Sequence, residues 1–291
     1  ALEGRQRAAA ERALALDPTN ADGNAGLALS IYRLGAWLVA DRAFAKALAA
    51  DPDNGPVKLH YSRVLADVGR NREALALVRS IGPNGPASAR GAGGMGELLW
   101  SVGQEARAVA WMEDADKRWP RHTAIWFPLL FMHAFAGRTG RVEAMIADIA
   151  RRPPGIVPDN FDAWRLVSRA VETKAPADRE AALAMHRELA GRGAALAGNA
   201  IGVMASLGEL DEAFVRLRAF YLGEADTAPM RAYSETQDGF LPRSNRLTRY
   251  LFRPDAFPLH PDPRFARFCA DVGLEAYWRD SGSTPDFRTQ T

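Results

Sequence analysis

Apolar and alanine residues recur along this chain every three or four positions, which is the period of helices that bury one face. One such stretch carries Leu27, Ala28 and Ile31, and a second stretch shortly afterwards carries Ala40 and Phe44. The small residues allow two neighbouring helices to approach closely, and the large ones fill the space between them. The pattern predicts an all-α fold built from pairs of short helices.

The helix pairs repeat at a fixed interval of 34 residues. Prolines occur at this spacing: Pro18, Pro52, Pro86, Pro120 and Pro154. Glycines occur at the same spacing: Gly35, Gly69, Gly103 and Gly137. We expect each glycine to end a first helix in the left-handed conformation, and each proline to follow a second helix. Asn20 and Asn54, two residues after a proline, are predicted to cap the next helix.

The repeating segments share further positions with a known family. The stretch from Leu27 to Pro52 and the stretch from Trp126 to Pro154 have its large, small, glycine and proline positions in order. Over residues 21–154 at least, the chain resembles the tetratricopeptide repeat family. The resemblance implies a right-handed α-solenoid of antiparallel helical hairpins, since one hairpin alone cannot cover its apolar face.

The repeat boundaries divide the chain into a solenoid over residues 1–223 and an irregular helical C-terminal cap over residues 224–291. We expect the units near these residues: 1–20 (partial), 21–54, 55–88, 89–122, 123–156, 157–192 and 193–223. Ala8 to Leu16 look like the second helix of a unit whose first helix is missing, so the natural protein is expected to extend upstream. Irregular final repeats are typical of solenoid ends.

The C-terminal region carries a second resemblance. Asp262 and Pro263 predict the start of a helix that ends at Gly273, followed by a last helix from Leu274 to Asp280. Residues 257–287 resemble the C-terminal tail of many bacterial tetratricopeptide regulators, several of which carry a winged-helix DNA-binding domain before the repeats. This resemblance implies the sensory or interaction region of such a regulator.

Composition narrows the possible partners. The formal charge is only +2, which gives no reason to expect that this chain itself binds nucleic acid. One cysteine, Cys269, excludes an internal disulfide, and no apolar run reaches the length of a membrane span. We expect a cytoplasmic protein, with periplasmic display as the alternative for a membrane-anchored regulator.

No motif predicts catalysis, a cofactor or a metal site. Gly91, Gly93 and Gly96 match the dinucleotide fingerprint, but no strand precedes them, so we expect them to loosen a helix instead. The five histidines lack metal-ligand spacing, and His133 and Cys269 lie at helix-packing positions. The chain is therefore predicted to be non-catalytic.

The first helix of each unit is expected to line a concave groove that binds a protein or peptide. Aromatic and arginine side chains dominate binding hot spots. The candidate groove residues are Tyr32, Arg33, Arg63, Glu97, Trp100, Phe127, Phe131, Phe135, Arg165 and Arg169.

Two alternatives for these residues stay open at this point. The C-terminal tail, which is rich in apolar and aromatic residues, is one candidate to fold back and cover the phenylalanine stripe. The arginines at 63, 165 and 169 are equally able to pair with Asp67, Asp162 and Glu172 as solvated charges.

The sequence favours a non-catalytic protein- or peptide-binding scaffold. One alternative is a small-molecule-binding accessory domain of an enzyme system. A second is a self-association module that forms a homodimer through its exposed first hairpin.

Overall fold

Helices are the only regular secondary structure in the computed structural model, which describes residues 2–82, 86–156, 158–224 and 246–289. The α-helices are α1 (Leu2–Leu16), α2 (Ala21–Ile31), α3 (Trp37–Ala50), α4 (Gly55–Asp67), α5 (Asn71–Arg79), α6 (Ala89–Ser101), α7 (Glu105–Arg118), α8 (Thr123–Phe135), α9 (Thr139–Ala147), α10 (Pro158–Thr173), α11 (Pro176–Ala190), α12 (Ala194–Ser206), α13 (Leu210–Leu222), α14 (Pro263–Val272) and α15 (Leu274–Ser281). Three short 3-10 helices cover Thr248–Phe252, Pro254–Leu259 and Asp286–Arg288. The all-α prediction is confirmed, and α14 and α15 begin where the sequence indicated.

The repeated glycines end the first helices as predicted. Gly35, Gly69, Gly103 and Gly137 have φ angles of 85°, 76°, 79° and 65°, all in the left-handed region. Gly208, in the last predicted unit, has a φ of 84°. A side chain at these positions would strain the backbone, so glycine is the residue that allows the chain to turn directly into the second helix.

The asparagines after the prolines cap the next helix. The Asn20 side chain accepts a hydrogen bond of 2.7 Å from the Gly23 N–H at the start of α2. The Asn54 side chain accepts one of 3.0 Å from the Val57 N–H at the start of α4. Each cap satisfies one exposed helix-end donor and contributes about 1 kcal/mol.

The chain forms two compact units. The first unit contains residues Ala1–Ala87, Ser244–Phe252 and Cys269–Thr291. Within it α1 packs on α2, α2 on α3, α3 on α4 and α4 on α5, and the first helices α2 and α4 also contact each other. Its core is built around Trp37, Phe44, Val64 and Leu65, all nearly inaccessible to solvent.

The second unit contains residues Ser88–Arg243 and Arg253–Phe268. Its helices again pack on their neighbours in sequence from α6 to α9 and from α10 to α13, and α8 also contacts α6 and α10. The 3-10 helix Pro254–Leu259 packs on α12. Trp126, Trp164, Met112 and Leu130 are among its fully buried side chains.

The predicted boundary between a repeat domain and a C-terminal cap stays a prediction. The described part of residues 224–291 does not form a body of its own, because part of it joins the first unit and residues 253–268 join the second. Residues 225–245 and 290–291, which the predicted cap includes, lie outside the described residues.

In the first unit the C-terminal residues seal the turn between α4 and α5. The Trp278 indole N–H donates to the Val68 carbonyl at 2.8 Å, and the Arg72 backbone N–H donates to the Asp286 carboxylate at 2.8 Å. The Phe252 ring lies 3.0 Å from the position that a Cβ on Gly69 would take. The absence of a side chain at Gly69 therefore also permits this ring to pack on the turn.

The glycines of α6 tighten helix packing, which corrects the expectation that they loosen the helix. α6 is one uninterrupted helix. A Cβ on Gly93 would lie 2.1 Å from the Ala124 carbonyl oxygen, and one on Gly96 would lie 2.6 Å from Met112. The missing side chains let α6 lie directly against α7 and α8.

Candidate functional site

An open cleft of about 460 Å³ lies between α2 and α4, the first helices of two consecutive hairpins in the first unit. Asp22, Ala25, Gly26 and Leu29 lie along one face of α2 at helical spacing. Pro56, Val57 and His60 lie on the facing side of α4, next to Asn54. The cleft therefore has an apolar floor with a carboxylate, an amide and an imidazole at its edges.

Arg63 follows His60 on α4, and Arg33 lies just beyond the C-terminal end of α2. Arg33 lies four residues after Leu29, is half-buried, and donates to the Ser30 carbonyl at 2.9 Å. Arg63 lies three residues after His60 and is also half-buried. Burial, together with the positive charge of Arg63, lowers the pKa of His60. Neither arginine lines the cleft, but the charge of Arg63 acts on His60, which does.

Tyr32 is engaged by the chain's own C-terminal part. The Arg249 guanidinium donates to the Tyr32 hydroxyl at 3.1 Å and to the Asp67 carboxylate at 2.7 Å. Asp67 is 2% exposed, and burial raises its pKa while the Arg249 charge opposes the rise. The expectation that Tyr32 faces an open groove is corrected, because Arg249 fills the space beside it.

The aromatic residues predicted for the groove form one cluster in the second unit. Trp100 stacks on Phe135 at a centroid distance of 6.2 Å, and Phe127 lies 5.8 Å from Phe131. Trp164 joins them, 4.2 Å from Phe131 and 5.7 Å from Phe135. Four residues predicted from the sequence are therefore in one cluster, and Trp164, which was not predicted, belongs to it as well.

Arg253 covers this cluster. Its guanidinium lies 5.5 Å from the Trp100 ring centroid and 5.9 Å from that of Phe131. It also makes two hydrogen bonds to Asp255 and lies 3.6 Å from the Glu97 carboxylate. Trp100 is 2% exposed and Phe131 is 8% exposed. The expectation of an open aromatic wall is corrected for these two residues, because cation–π contacts and a buried ion pair hold the C-terminal segment over them.

Arg165 and Arg169 pair with acidic neighbours in the second unit. Arg165 binds Glu143 at 2.9 Å and Asp162 at 2.6 Å. Arg169, which is exposed, binds Asp178 at 2.9 Å rather than Glu172. The alternative that the arginines pair as solvated charges describes both side chains, and such exposed pairs contribute little to stability.

Neither a metal-binding group of side chains nor a membrane-spanning helix is found in the described ranges. Among the residues with described positions, no three His, Cys, Asp or Glu side chains are grouped so that they would hold a metal ion. In the same ranges, no helix is long and apolar enough to cross a bilayer.

Comparison with known proteins identifies the repeat. Residues 32–98 match the family model described as tetratricopeptide repeat. The chain contains tetratricopeptide repeats. No curated protein matches the chain. One similar solved structure is a monomeric IFIT1 mutant with Gppp-AAAA, at 15% identity and a TM-score of 0.46; the match covers 79% of this chain and 56% of that one, so this chain spans little more than half of that structure's length.

Tetratricopeptide repeats typically form non-catalytic scaffolds that offer an extended surface to a partner. In this chain the first-helix faces of the repeats differ in how much surface they offer. Leu29, Arg33 and Arg63 remain partly accessible, whereas Trp100 and Phe131 are buried. The candidate site is therefore the cleft between α2 and α4.

Sequence reasoning missed part of this cleft. Asp22, Gly26, Val57 and His60 were not among the predicted residues, although they lie on the first helices that were expected to line the groove. The signal was present in the repeat register, because a first-helix face extends over its full length at spacings of three and four. Apart from Glu97, the predicted residues are all aromatic or arginine, so these positions were left out.

Two buried histidines predict how stability depends on pH. His133 and His186 are each 2% exposed, and burial lowers the pKa of each from 6.5 to about 4. Between these pH values the unfolded imidazoles bind protons that the folded ones do not, so stability is lost as the pH falls from 6.5 towards 4. The urea midpoint is expected to decrease steadily over this interval.

The contribution of one of these rings can be separated by substitution. His186→Gln replaces the ring with a side chain that does not titrate, and the slope of the urea midpoint against pH should become shallower. Equal slopes for the two proteins would contradict the assignment, whatever the variant's stability at neutral pH.

Proposed function

We propose that this protein is a non-catalytic scaffold that binds a peptide segment of a partner in the cleft between α2 and α4. The observation that supports the proposal is the open apolar floor of Ala25, Leu29 and Val57 between the first helices of consecutive repeats. A preformed cleft loses little conformational entropy on binding.

The charges at the two ends of the cleft favour one kind of peptide. Asp22 lies in the first turn of α2, and Arg33 and Arg63 lie near the C-terminal ends of α2 and α4. Of these charged residues only Asp22 lines the cleft, and it is exposed. We expect an apolar side chain on the floor and a basic group beside Asp22, since a carboxylate accepts charge-assisted hydrogen bonds from ammonium and guanidinium groups.

A random peptide library displayed on phage tests this function. We expect selection on the immobilised protein to enrich one peptide family with an apolar residue near a basic one. Leu29→Arg places a charge on the floor and should weaken binding of the enriched peptides at least tenfold, which corresponds to about 1.4 kcal/mol. Fluorescence polarisation with the synthetic peptides measures the loss.

The matched control is Val39→Arg, which introduces the same residue at a side chain that is 59% exposed on α3, outside the cleft. This variant should bind like the original protein. Asp22→Lys, a change at an exposed residue, provides a second cleft variant if Leu29→Arg does not fold. Failure to enrich any peptide family, or binding by both cleft variants as tight as that of the original protein, would refute the proposal.

The finer proposal is that this scaffold is the interaction region of a bacterial regulator. Its support is the likeness of residues 257–287 to the tails of such proteins. Sequencing the gene upstream of Ala1 tests it, and an upstream region without a DNA-binding domain would remove the regulator reading while leaving the scaffold proposal in place.

A further inference from the structure

One titratable side chain, His60, lines the cleft from the α4 side. It is half-buried and follows the floor residue Val57 by three positions on the same helix. From the α2 side the cleft is lined by one charged residue, Asp22, which is exposed. The cleft therefore contains one carboxylate and one imidazole, each on a different helix.

The repeat itself does not require a histidine at this position. Residues at intervals of 34 occupy the same place in successive first helices, and here they are Gly26, His60, Gly94 and Pro128. Three of these four residues have no polar side chain, and a Cβ on Gly94 would meet nothing within 4 Å. Packing of the first helices therefore does not account for the imidazole. Few polar groups line a typical binding pocket, and those present orient the ligand, so His60 is a candidate for contact with the peptide.

The surroundings of His60 keep its ring neutral at pH 7. Burial lowers the pKa of His60 below its usual 6.5, and the positive charge of Arg63 lowers it further. Histidine is the side chain that most readily changes its charge under mildly acidic conditions. The cleft therefore gains a positive charge only when the pH falls below neutrality.

Few other charges act on this ring. The elements packed on α4 are α2, α3, α5 and the 3-10 helix Thr248–Phe252. Among their described side chains, Asp22 of α2 is the charged residue that lines the cleft with His60. Arg249 of the 3-10 helix binds Asp67 at the C-terminal end of α4. The charge that faces a ligand in the cleft is thus set by Asp22 and by the protonation of His60.

Protonation of His60 opposes the binding of a basic peptide. The proposed function places the basic group of the peptide beside Asp22. A protonated ring would bring a second positive charge into the same cleft of about 460 Å³ and would offset the attraction of the carboxylate. Charges partly removed from water interact more strongly than they do in bulk solvent. A peptide without a basic group would not experience this repulsion.

We propose that His60 controls which peptides the cleft holds: a basic peptide binds while the His60 ring is neutral and is released when the ring takes up a proton. His60 is then a specificity-determining residue of the cleft. This inference rests on the proposed function, because it concerns the same cleft and the same class of peptide.

Fluorescence polarisation at two pH values tests the proposal. The probe is an enriched peptide with blocked termini and without His, Asp or Glu, so that the peptide itself does not titrate. Its dissociation constant is expected to rise at least threefold between pH 7.5 and pH 5, with circular dichroism confirming that the protein is folded at both. The same peptide with norleucine in place of its basic residue should show a smaller change.

The two proposals fail in different ways. An unchanged dissociation constant, or an equal rise for the norleucine peptide, would overturn the role of His60 and leave the scaffold proposal in place. Failure to enrich any peptide would overturn both.

Two variants assign the effect to this ring. His60→Gln does not titrate at this position, so the ratio of its dissociation constants at the two pH values should approach one, whatever its affinity at pH 7.5. The control is His122→Asn in the second unit. His122 caps α8 by accepting from the Ala124 N–H at 3.2 Å, as Asn20 and Asn54 cap their helices, so asparagine suits this position. This variant should keep the threefold change. Equal ratios for the two variants would contradict the assignment.

A measurement on the unaltered protein covers the case in which His60→Gln does not fold. Because coupling between two binding events is reciprocal, a bound basic peptide must make the ring harder to protonate. In protein labelled with ¹⁵N-histidine, saturation with the peptide should lower the pH at which His60 titrates by about 0.5, the equivalent of a threefold change in affinity. The titration of His122 should not move. An unchanged His60 titration in the saturated protein would show that the proposal is wrong.

Discussion

Gly93→Ala is expected to lower the free energy of unfolding of the second unit by about 3 kcal/mol, at the upper end of the cost of overpacking a core. The new methyl group would lie 2.1 Å from the Ala124 carbonyl oxygen. That oxygen belongs to the α8 backbone, so relief requires the two helices to separate. Separation would open gaps around buried Trp100 and Leu130, which adds to the cost.

Gly94→Ala provides a control one position along the same helix. A Cβ on Gly94 meets nothing within 4 Å, and alanine is the better helix former. This variant is expected to raise the unfolding free energy by about 0.5–1 kcal/mol, because the unfolded chain loses freedom. Urea denaturation followed by circular dichroism measures both variants. Similar midpoints for the two would show that α6 and α8 are not packed this closely.

Asp67→Ala is expected to destabilise the first unit by about 3–5 kcal/mol, the range for breaking a buried ion pair by removing one partner. Arg249 donates to Asp67 from its backbone N–H at 3.0 Å and from its side chain at 2.7 Å. Without the carboxylate, the Arg249 guanidinium, which is 17% exposed, would remain in the protein interior without its counter-charge. Chemical denaturation monitored by circular dichroism measures the loss.

Asp280→Ala is the matched control in the same unit. Asp280 pairs at 2.8 Å with Arg279, whose side chain is 73% exposed, so its loss should not change the unfolding midpoint measurably. If Asp67→Ala were as well tolerated as Asp280→Ala, the Arg249 contact would not be what holds the C-terminal residues in the first unit.

The repeat could be predicted in detail because its signals are local. Gly35 and Gly69 end helices through their own backbone freedom, and Asn20 and Asn54 cap helices three residues away. Each of these effects acts within one turn of the chain, so the order of the residues is enough to assign it. The start of α14 at Pro263 was predictable for the same reason.

The candidate site was only partly predictable. The spacing of Phe127, Phe131 and Phe135 correctly indicated one aromatic stripe on α8. The spacing did not indicate that Trp164 from α10 packs against this stripe, or that Arg253 lies over it.

The sequence by itself determined the helices, their ends and their pairing into tetratricopeptide hairpins, because these depend on contacts between residues close in the chain. Only the tertiary structure decided which first-helix faces stay open. The Tyr32 hydroxyl accepts a hydrogen bond from Arg249, 217 residues away, whereas the cleft beside Leu29 stays open. A distant segment covers a helix face only where it meets both a counter-charge and an apolar surface. The local periodicity of the sequence contains no information on either.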